Sequence, residues 1–162
     1  MTLTWSWCNA EPARDGTSGA VVILHGAVPD LGAFTWEAWV KVGNVPGIRR
    51  DLVSLGGRGG VFGLYLGANA SQVTFEVLPA VGGRQTITLD PTVVGVGWVY
   101  LAFTADGTTW RAYVNGAAVQ SGTIDGGLAP SADPLVFGRD GVAAQSWYDG
   151  ALADVAGFNS YA

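Results

Sequence analysis

Residues 97–121 read GWVYLAFTADGTTWRAYVNGAAVQS, and this stretch decides the fold class. Short runs of β-branched and aromatic residues alternate here with the dipeptides Asp106-Gly107 and Asn115-Gly116. Asp-Gly and Asn-Gly favour the two-residue turns of β-hairpins, because these residues tolerate the positive φ angles that such turns require. The stretch therefore predicts a meander of three antiparallel strands.

The same pattern of short runs and turns extends over the rest of the chain. The 25 glycines fall between apolar segments, and no window of about 11–18 residues has the apolar spacing of an amphipathic helix without glycine or proline. Strands this short are typical of sandwiches and barrels. We predict one all-β domain over residues 1–162, a two-sheet antiparallel β-sandwich of about 12 strands. The candidate strands are Leu3–Cys8, Ala20–Val28, Phe34–Val42, Asp51–Leu55, Val61–Leu66, Gln72–Leu78, Arg84–Leu89, Gly97–Thr104, Thr109–Val114, Ala117–Ser121, Pro134–Gly138 and a last pair around Trp147–Phe158.

The segment FTWEAWVK at residues 34–41 indicates how a strand divides its side chains between two faces. Successive side chains of a strand point to opposite faces of the sheet. One face is wholly apolar and is predicted as core: Phe34, Trp36, Ala38 and Val40. The other face is mixed and suits a partly covered surface: Thr35, Glu37, Trp39 and Lys41. Trp98 is also predicted to lie in the core.

Charge and hydropathy exclude several classes of partner. The formal net charge is −5, and the eight lysines and arginines are scattered, whereas nucleic-acid binding needs clustered cations. No stretch approaches the run of about 20 apolar residues that a membrane-spanning helix needs. The N-terminus lacks the basic and apolar regions of a secretory signal. We therefore expect no nucleic-acid partner, no membrane insertion and no export by a signal peptide.

Three segments, taken in order, carry a resemblance to a known family. The first is Leu31-Gly32-Ala33-Phe34-Thr35-Trp36-Glu37-Ala38-Trp39-Val40-Lys41, and the second runs from Trp98 to Gly107 and continues as Trp110-Arg111-Ala112-Tyr113-Val114-Asn115-Gly116. The third is Pro134-Leu135-Val136-Phe137-Gly138-Arg139 with Tyr148-Asp149-Gly150-Ala151-Leu152-Ala153-Asp154-Val155. Over residues 31–158 the chain resembles the laminin-G-like branch of the concanavalin-A-like lectin/glucanase superfamily. The resemblance implies a jelly roll with two sheets packed face to face, and a role in binding glycans, proteins or calcium, or in building assemblies.

The superfamily includes retaining glucanases, which need two carboxyl groups about 5–5.5 Å apart. None of the three glutamates, Glu11, Glu37 and Glu76, has an acidic residue two or four positions away on a shared strand. The lone His25 and the lone Cys8 form no metal or nucleophile motif. We predict that the protein is not an enzyme, with glycoside hydrolase as a minor alternative.

Aromatic residues next to polar ones are the candidate ligand-binding residues, since exposed tryptophan and tyrosine stack on sugar rings. The candidates are Trp110, Arg111, Tyr113, Arg139, Trp147 and Tyr148. The alternative is that these aromatic residues pack in the core or in an interface. No cofactor is predicted, and calcium at a rim site is the open alternative, because aspartates lie in or beside turns. The calcium candidates are Asp30, Asp149 and Asp154, with Asp106 and Asp140 also close to turns.

Two functions from different classes stay open. The first is a non-catalytic phage protein on the virion surface, a head decoration or minor tail protein, which contacts its own copies or a capsid or tail protein and also adheres to glycans. The second is a lectin-like carbohydrate-binding module of a bacterial surface or secreted protein, whose partner is a cell-surface glycan. A structural component would form a defined oligomer, whereas a lectin module would bind glycans as a monomer and lose binding on Trp147→Ala or Trp110→Ala.

Overall fold

The computed structural model describes residues 4–7, 14–15, 21–23, 32–42, 49–57, 59–66, 73–89, 97–140, 142 and 148–158. These residues form strands and turns and contain no helix, so none of them builds a membrane-spanning helix. The strands are β1 (Thr4–Trp7), β2 (Arg14–Asp15), β3 (Val21–Ile23), β4 (Phe34–Val42), β5 (Arg50–Leu55), β6 (Phe62–Leu66), β7 (Val73–Val77), β8 (Pro79–Val81), β9 (Gln85–Thr88), β10 (Trp98–Ala105), β11 (Thr109–Val114), β12 (Ala117–Thr123), β13 (Asp125–Leu128), β14 (Leu135–Phe137) and β15 (Asp149–Phe158).

The strands form two large antiparallel sheets. The seven-stranded sheet has the order β1-β15-β4-β10-β11-β12, with β2 paired to β15, and the six-stranded sheet has the order β3-β14-β5-β6-β7-β9. Strands β8 and β13 form a small separate pair. Neighbours in both sheets are distant in sequence, for example β15 and β4, as in a jelly roll. The predicted all-β, two-sheet antiparallel sandwich is confirmed.

The core lies between the two sheets and is centred on aromatic side chains. Phe103 of β10 is 0% exposed, and its ring centroid lies 5.0 Å from that of Phe75 on β7 in the opposite sheet. The rings of Phe34, Phe62 and Trp110 lie within 5.8 Å of Phe103. The predicted inward face of β4, which includes Trp36, is buried throughout. The apolar positions of alternate residues therefore form one continuous core.

The meander of β10, β11 and β12 exists as predicted, but only one of its two turns has the predicted form. Asn115 and Gly116 have φ angles of 49° and 81°, and Val114 pairs directly with Ala117, so this is a two-residue turn. Residues 106–108, in contrast, separate β10 from β11 as a longer loop. Asp106 explains the difference, because its Oδ1 accepts hydrogen bonds from the backbone N–H groups of Thr108 (2.8 Å) and Thr109 (2.6 Å).

The last predicted pair of strands is a single long strand, β15. The prediction of two strands around Trp147–Phe158 is wrong because the chain bends within the strand instead of turning back. The pairing of β15 with β4 shifts register between Ala153, opposite Trp39, and Ala156, opposite Glu37. Asp154 lies in this bulge with a φ of 48°, and a bulge bends a strand without ending it.

Candidate functional site

The side of the seven-stranded sheet that faces away from the core carries the candidate site. Alternation along β4 turns Glu37, Trp39 and Lys41 to this outer face, and Trp39 is 40% exposed. Tyr100 of β10 lies directly opposite Trp39, and Trp98 lies opposite Lys41. The outer face therefore brings together aromatic residues from two neighbouring strands.

Trp98 is 42% exposed, so its predicted core position is wrong. Along β10 the inward set is Val99, Leu101, Phe103 and Ala105, all buried. Trp98 lies two residues before Tyr100, so its side chain points to the same outer face, where Tyr100 is half-buried. The prediction for Trp98 relied on the hydrophobicity of tryptophan, whereas alternation along β10 determines which face of the sheet the side chain occupies.

An open pocket of about 430 Å³ lies on this face and is lined by Trp39, Tyr100, Asn115 and Gly116. We call it the outer aromatic pocket. The rings of Trp39 and Tyr100 have centroids 5.4 Å apart and planes inclined by 55°. Small-molecule sites of about 300–1,000 Å³ are commonly lined by aromatic side chains with a few polar groups. The size and lining of this pocket fit that description.

The β11–β12 turn forms the second wall of the pocket and is fixed to β10 by two hydrogen bonds. The Asn115 backbone N–H donates to the Tyr100 carbonyl oxygen (2.8 Å), and the Tyr100 backbone N–H donates to Asn115 Oδ1 (3.0 Å). Because Oδ1 is engaged, the side chain of Asn115 offers its Nδ2 hydrogen atoms to a ligand. The turn therefore places a hydrogen-bond donor beside the aromatic wall.

Glu37 lies on β4, next to β10, and accepts a hydrogen bond from the hydroxyl group of Tyr100. Burial raises the pKa of Tyr100 far above its ordinary value, and the hydrogen bond and charge of Glu37 raise it further. Tyr100 is thus protonated at neutral pH, and its proton is directed to the carboxylate. The Tyr100 oxygen and the Glu37 carboxylate are left as hydrogen-bond acceptors.

The structure buries two of the predicted binding residues. Trp110 is 7% exposed, and its indole N–H donates to Gln85 Oε1 (2.8 Å) inside the sandwich. Tyr148 is 0% exposed, and its hydroxyl donates to the Lys41 carbonyl oxygen (2.8 Å). Burial raises the pKa of Tyr148, as does the charge of Asp149. Neither residue is a surface platform for a ligand.

The other predicted binding residues that the structure describes do not line the outer aromatic pocket. Arg111 and Tyr113 are half-buried on the outer face of β11, where Tyr113 pairs with Ala102 and Arg111 with Thr104. Arg139 is half-buried, and its Nη1 donates to the Asp140 carbonyl oxygen (2.6 Å). Trp147 lies outside the described residues. Arg111 and Tyr113 thus share the face of the outer aromatic pocket without lining it.

Among the described residues, no group of three or more acidic, histidine or cysteine side chains is placed to hold a metal ion. Asp149 is half-buried and Asp154 is exposed, while Asp140 Oδ1 accepts a hydrogen bond from the Val142 backbone (2.8 Å). Asp30 lies outside the described residues. Calcium binding stays a prediction.

A polar network occupies the outer face of the six-stranded sheet. Arg49 forms ion pairs with Asp51 (2.7 Å) and Glu76 (3.1 Å), and its guanidinium carbon lies 3.7 Å from the centroid of the Tyr65 ring. Burial alone would lower the pKa of Arg49, but the hydrogen bonds and charges of Asp51 and Glu76 raise it above its ordinary value. Because Asp51 is 0% exposed, a role in stability accounts for this network.

Fold and site together define a jelly-roll β-sandwich with an aromatic pocket on the outer face of its larger sheet. The chain belongs to the concanavalin A-like lectin/glucanases superfamily, whose laminin-G-type family model matches residues 15–161. The predicted superfamily is confirmed. Comparison with curated proteins finds no match.

Solved structures similar to this chain include binding domains of clostridial neurotoxins. The binding domain of botulinum neurotoxin DC in complex with rat synaptotagmin II matches with a TM-score of 0.67 and 12% identity over 99% of this chain and 44% of that one. The same domain in complex with SialylT matches with a TM-score of 0.66 and 13% identity over 99% and 43%. Botulinum neurotoxin type C, described as interacting with two ganglioside molecules, matches with a TM-score of 0.66 and 12% identity over 99% and 44%. The chain thus spans less than half the length of these structures, and the likeness shows the fold.

Proposed function

We propose that this chain is a non-catalytic carbohydrate-binding module whose ligand occupies the outer aromatic pocket. The observation that carries the proposal is Trp39, which is 40% exposed on a sheet face and lines the pocket with Tyr100. A large apolar ring left in water costs free energy that a ligand recovers by covering it. Covering the Trp39 ring with a ligand is therefore favourable in free energy.

The lining of the pocket suits a sugar ring. A pyranose has apolar C–H faces and a rim of hydroxyl groups, so it needs an aromatic surface flanked by hydrogen-bonding groups. Trp39 offers the surface, Tyr100 and Glu37 offer acceptors, and Asn115 offers a donor. The similar structures described with SialylT and with gangliosides, at 13% and 12% identity, support a saccharide as the general class of ligand. Whether that saccharide is charged or neutral depends on the residues of this chain alone.

Three of the carboxylates described on the two large sheets support a role without catalysis. Glu37 is hydrogen-bonded to Tyr100, and Asp51 and Glu76 are both ion-paired with Arg49. Retaining glycosidases need two carboxyl groups about 5–5.5 Å apart on either side of the scissile bond. Asp51 and Glu76 share a sheet, but both bind Arg49 and Asp51 is wholly buried, so this pair belongs to an ion-pair network. Glu37 lies on the other sheet.

Trp39→Ala should weaken glycan binding at least about tenfold, because it removes the central aromatic contact of the pocket. Trp98→Ala is the matched control, since Trp98 has similar exposure on the same face but does not line the pocket. We expect a loss of less than about threefold for Trp98→Ala. The measurement is a glycan array followed by titration calorimetry with the best array ligand. Absence of any glycan binding, or equal losses in the two variants, would overturn the proposal.

Two more specific roles stay predictions from the sequence. One is a virion-surface protein with capsid or tail partners, and the other is a lectin module of a bacterial protein. Light scattering on the purified chain separates these two roles, because the first expects a defined oligomer and the second a monomer. Localisation on a virion or on a bacterial surface likewise stays a prediction.

A further inference from the structure

We infer that the outer aromatic pocket selects uncharged sugar rings with free hydroxyl groups over sugars that carry a carboxylate. This inference rests on the proposed function and adds the chemical class of the ligand. It follows from the polar groups that face the pocket and from the position of the charges around it.

The polar groups on the Glu37 side of the pocket accept hydrogen bonds. The Tyr100 hydroxyl donates its only proton to Glu37, so its oxygen can serve a ligand only as an acceptor. The Glu37 carboxylate is an acceptor as well. A sugar hydroxyl donates to such oxygens, whereas an ionised carboxylate has no proton to donate.

A negative charge contacts one of the residues that line the pocket. Glu37 contacts Tyr100, which lines the pocket, through a hydrogen bond. Glu37 and Lys41 each lie two residues from Trp39 along β4, where they pair with Ala102 and Trp98. Of these two charged residues, Glu37 is the one hydrogen-bonded to a residue that lines the pocket. A ligand carboxylate beside the Tyr100 hydroxyl would lie close to Glu37, and like charges at short range repel strongly where water is partly excluded.

Asn115 supplies a hydrogen-bond donor in addition to the acceptors Tyr100 and Glu37. Its Oδ1 is held by the Tyr100 backbone, so Nδ2 is left for a ligand oxygen on the opposite side from Glu37. A hexopyranose hydroxyl both donates and accepts, and hydroxyls on different sides of one ring can therefore serve the acceptors on the Glu37 side and the donor of Asn115. The pocket thus matches a ring with free hydroxyl groups.

The test uses sugars that differ only in a carboxylate. Saturation-transfer NMR titrations would compare methyl β-glucoside with methyl β-glucuronide, and methyl β-galactoside with methyl β-galacturonide. We expect one neutral member to bind at least about tenfold more tightly than its acidic partner, and this ratio to shrink at high salt, which screens exposed charges. In Glu37→Gln, which removes the charge and keeps the shape, the ratio should fall below about threefold. In Lys41→Gln the ratio should not fall.

The outcomes separate this inference from the proposed function. Equal or tighter binding of the acidic sugars to the wild-type chain overturns the inference and leaves the binding function standing. A tenfold ratio that persists in Glu37→Gln also overturns it, because the selection would then come from another group. Binding of none of the four sugars counts against the proposed function itself.

Discussion

Phe103→Ala should lower the free energy of unfolding by about 3–5 kcal/mol, the cost of removing a large aromatic side chain from a packed core. Phe103 is fully buried and is the one described residue whose ring contacts four others: Phe34, Phe62, Phe75 and Trp110. Phe62 and Phe75 belong to the six-stranded sheet and the other two to the seven-stranded sheet. The substitution therefore opens a cavity where the two sheets meet. Urea unfolding followed by circular dichroism measures the loss.

Two further variants keep this prediction testable if Phe103→Ala does not fold. Phe103→Leu preserves most of the volume and should cost less than Phe103→Ala. Val119→Ala removes an exposed apolar side chain on the edge strand β12 and should change stability by less than about 0.5 kcal/mol. A cost for Phe103→Leu no larger than that of Val119→Ala would contradict the central position of Phe103.

Arg49→Met should lower the free energy of unfolding by about 3–5 kcal/mol, because it removes a cation that is paired with a buried carboxylate. Asp51 is wholly buried and lies 2.7 Å from Arg49, and the same guanidinium group also pairs with Glu76. The aliphatic part of methionine retains packing against Tyr65, so the loss reports mainly on charge. Urea unfolding at neutral pH measures it.

The double variant Arg49→Met/Asp51→Asn separates charge from packing. Removing both charges should recover much of the loss, since a neutral amide costs far less to bury than an ionised carboxylate. Wild-type stability in Arg49→Met, or a double variant no more stable than the single one, would show that the ion pair does not determine stability here.

Turn residues and strand periodicity were enough to predict the sandwich class, because many alternating apolar runs broken by turn residues are typical of sandwiches and barrels. Strand β4 and strand β11 have the predicted bounds, Phe34–Val42 and Thr109–Val114. The short strands β2, β8 and β13 were missed, since two to four residues carry no readable period. The bulge at Asp154 was missed as well, because a single residue in a left-handed conformation leaves little trace in hydropathy.

The candidate site was only partly predictable. Alternation placed Trp39 on a mixed face. The same rule applied to β10 would have placed Trp98 and Tyr100 there, and applied to β11 it would have turned Trp110 inward. The interpretation relied instead on the closeness of Trp110 to Arg111 and Tyr113 in sequence. The pairing of Trp39 with Tyr100 depends on strand register, which is set by contacts between residues that are distant in sequence.

The most direct test of the binding site is an NMR titration of the isotope-labelled chain with the tightest neutral sugar. We expect shifts at the Trp39 indole N–H and at the backbone amides of Asn115 and Gly116, which line the outer aromatic pocket. The amide resonances of Thr74 and Thr86, on the six-stranded sheet, should not shift. Shifts confined to the six-stranded sheet, with Trp39 unchanged at saturation, would contradict the assignment of the site.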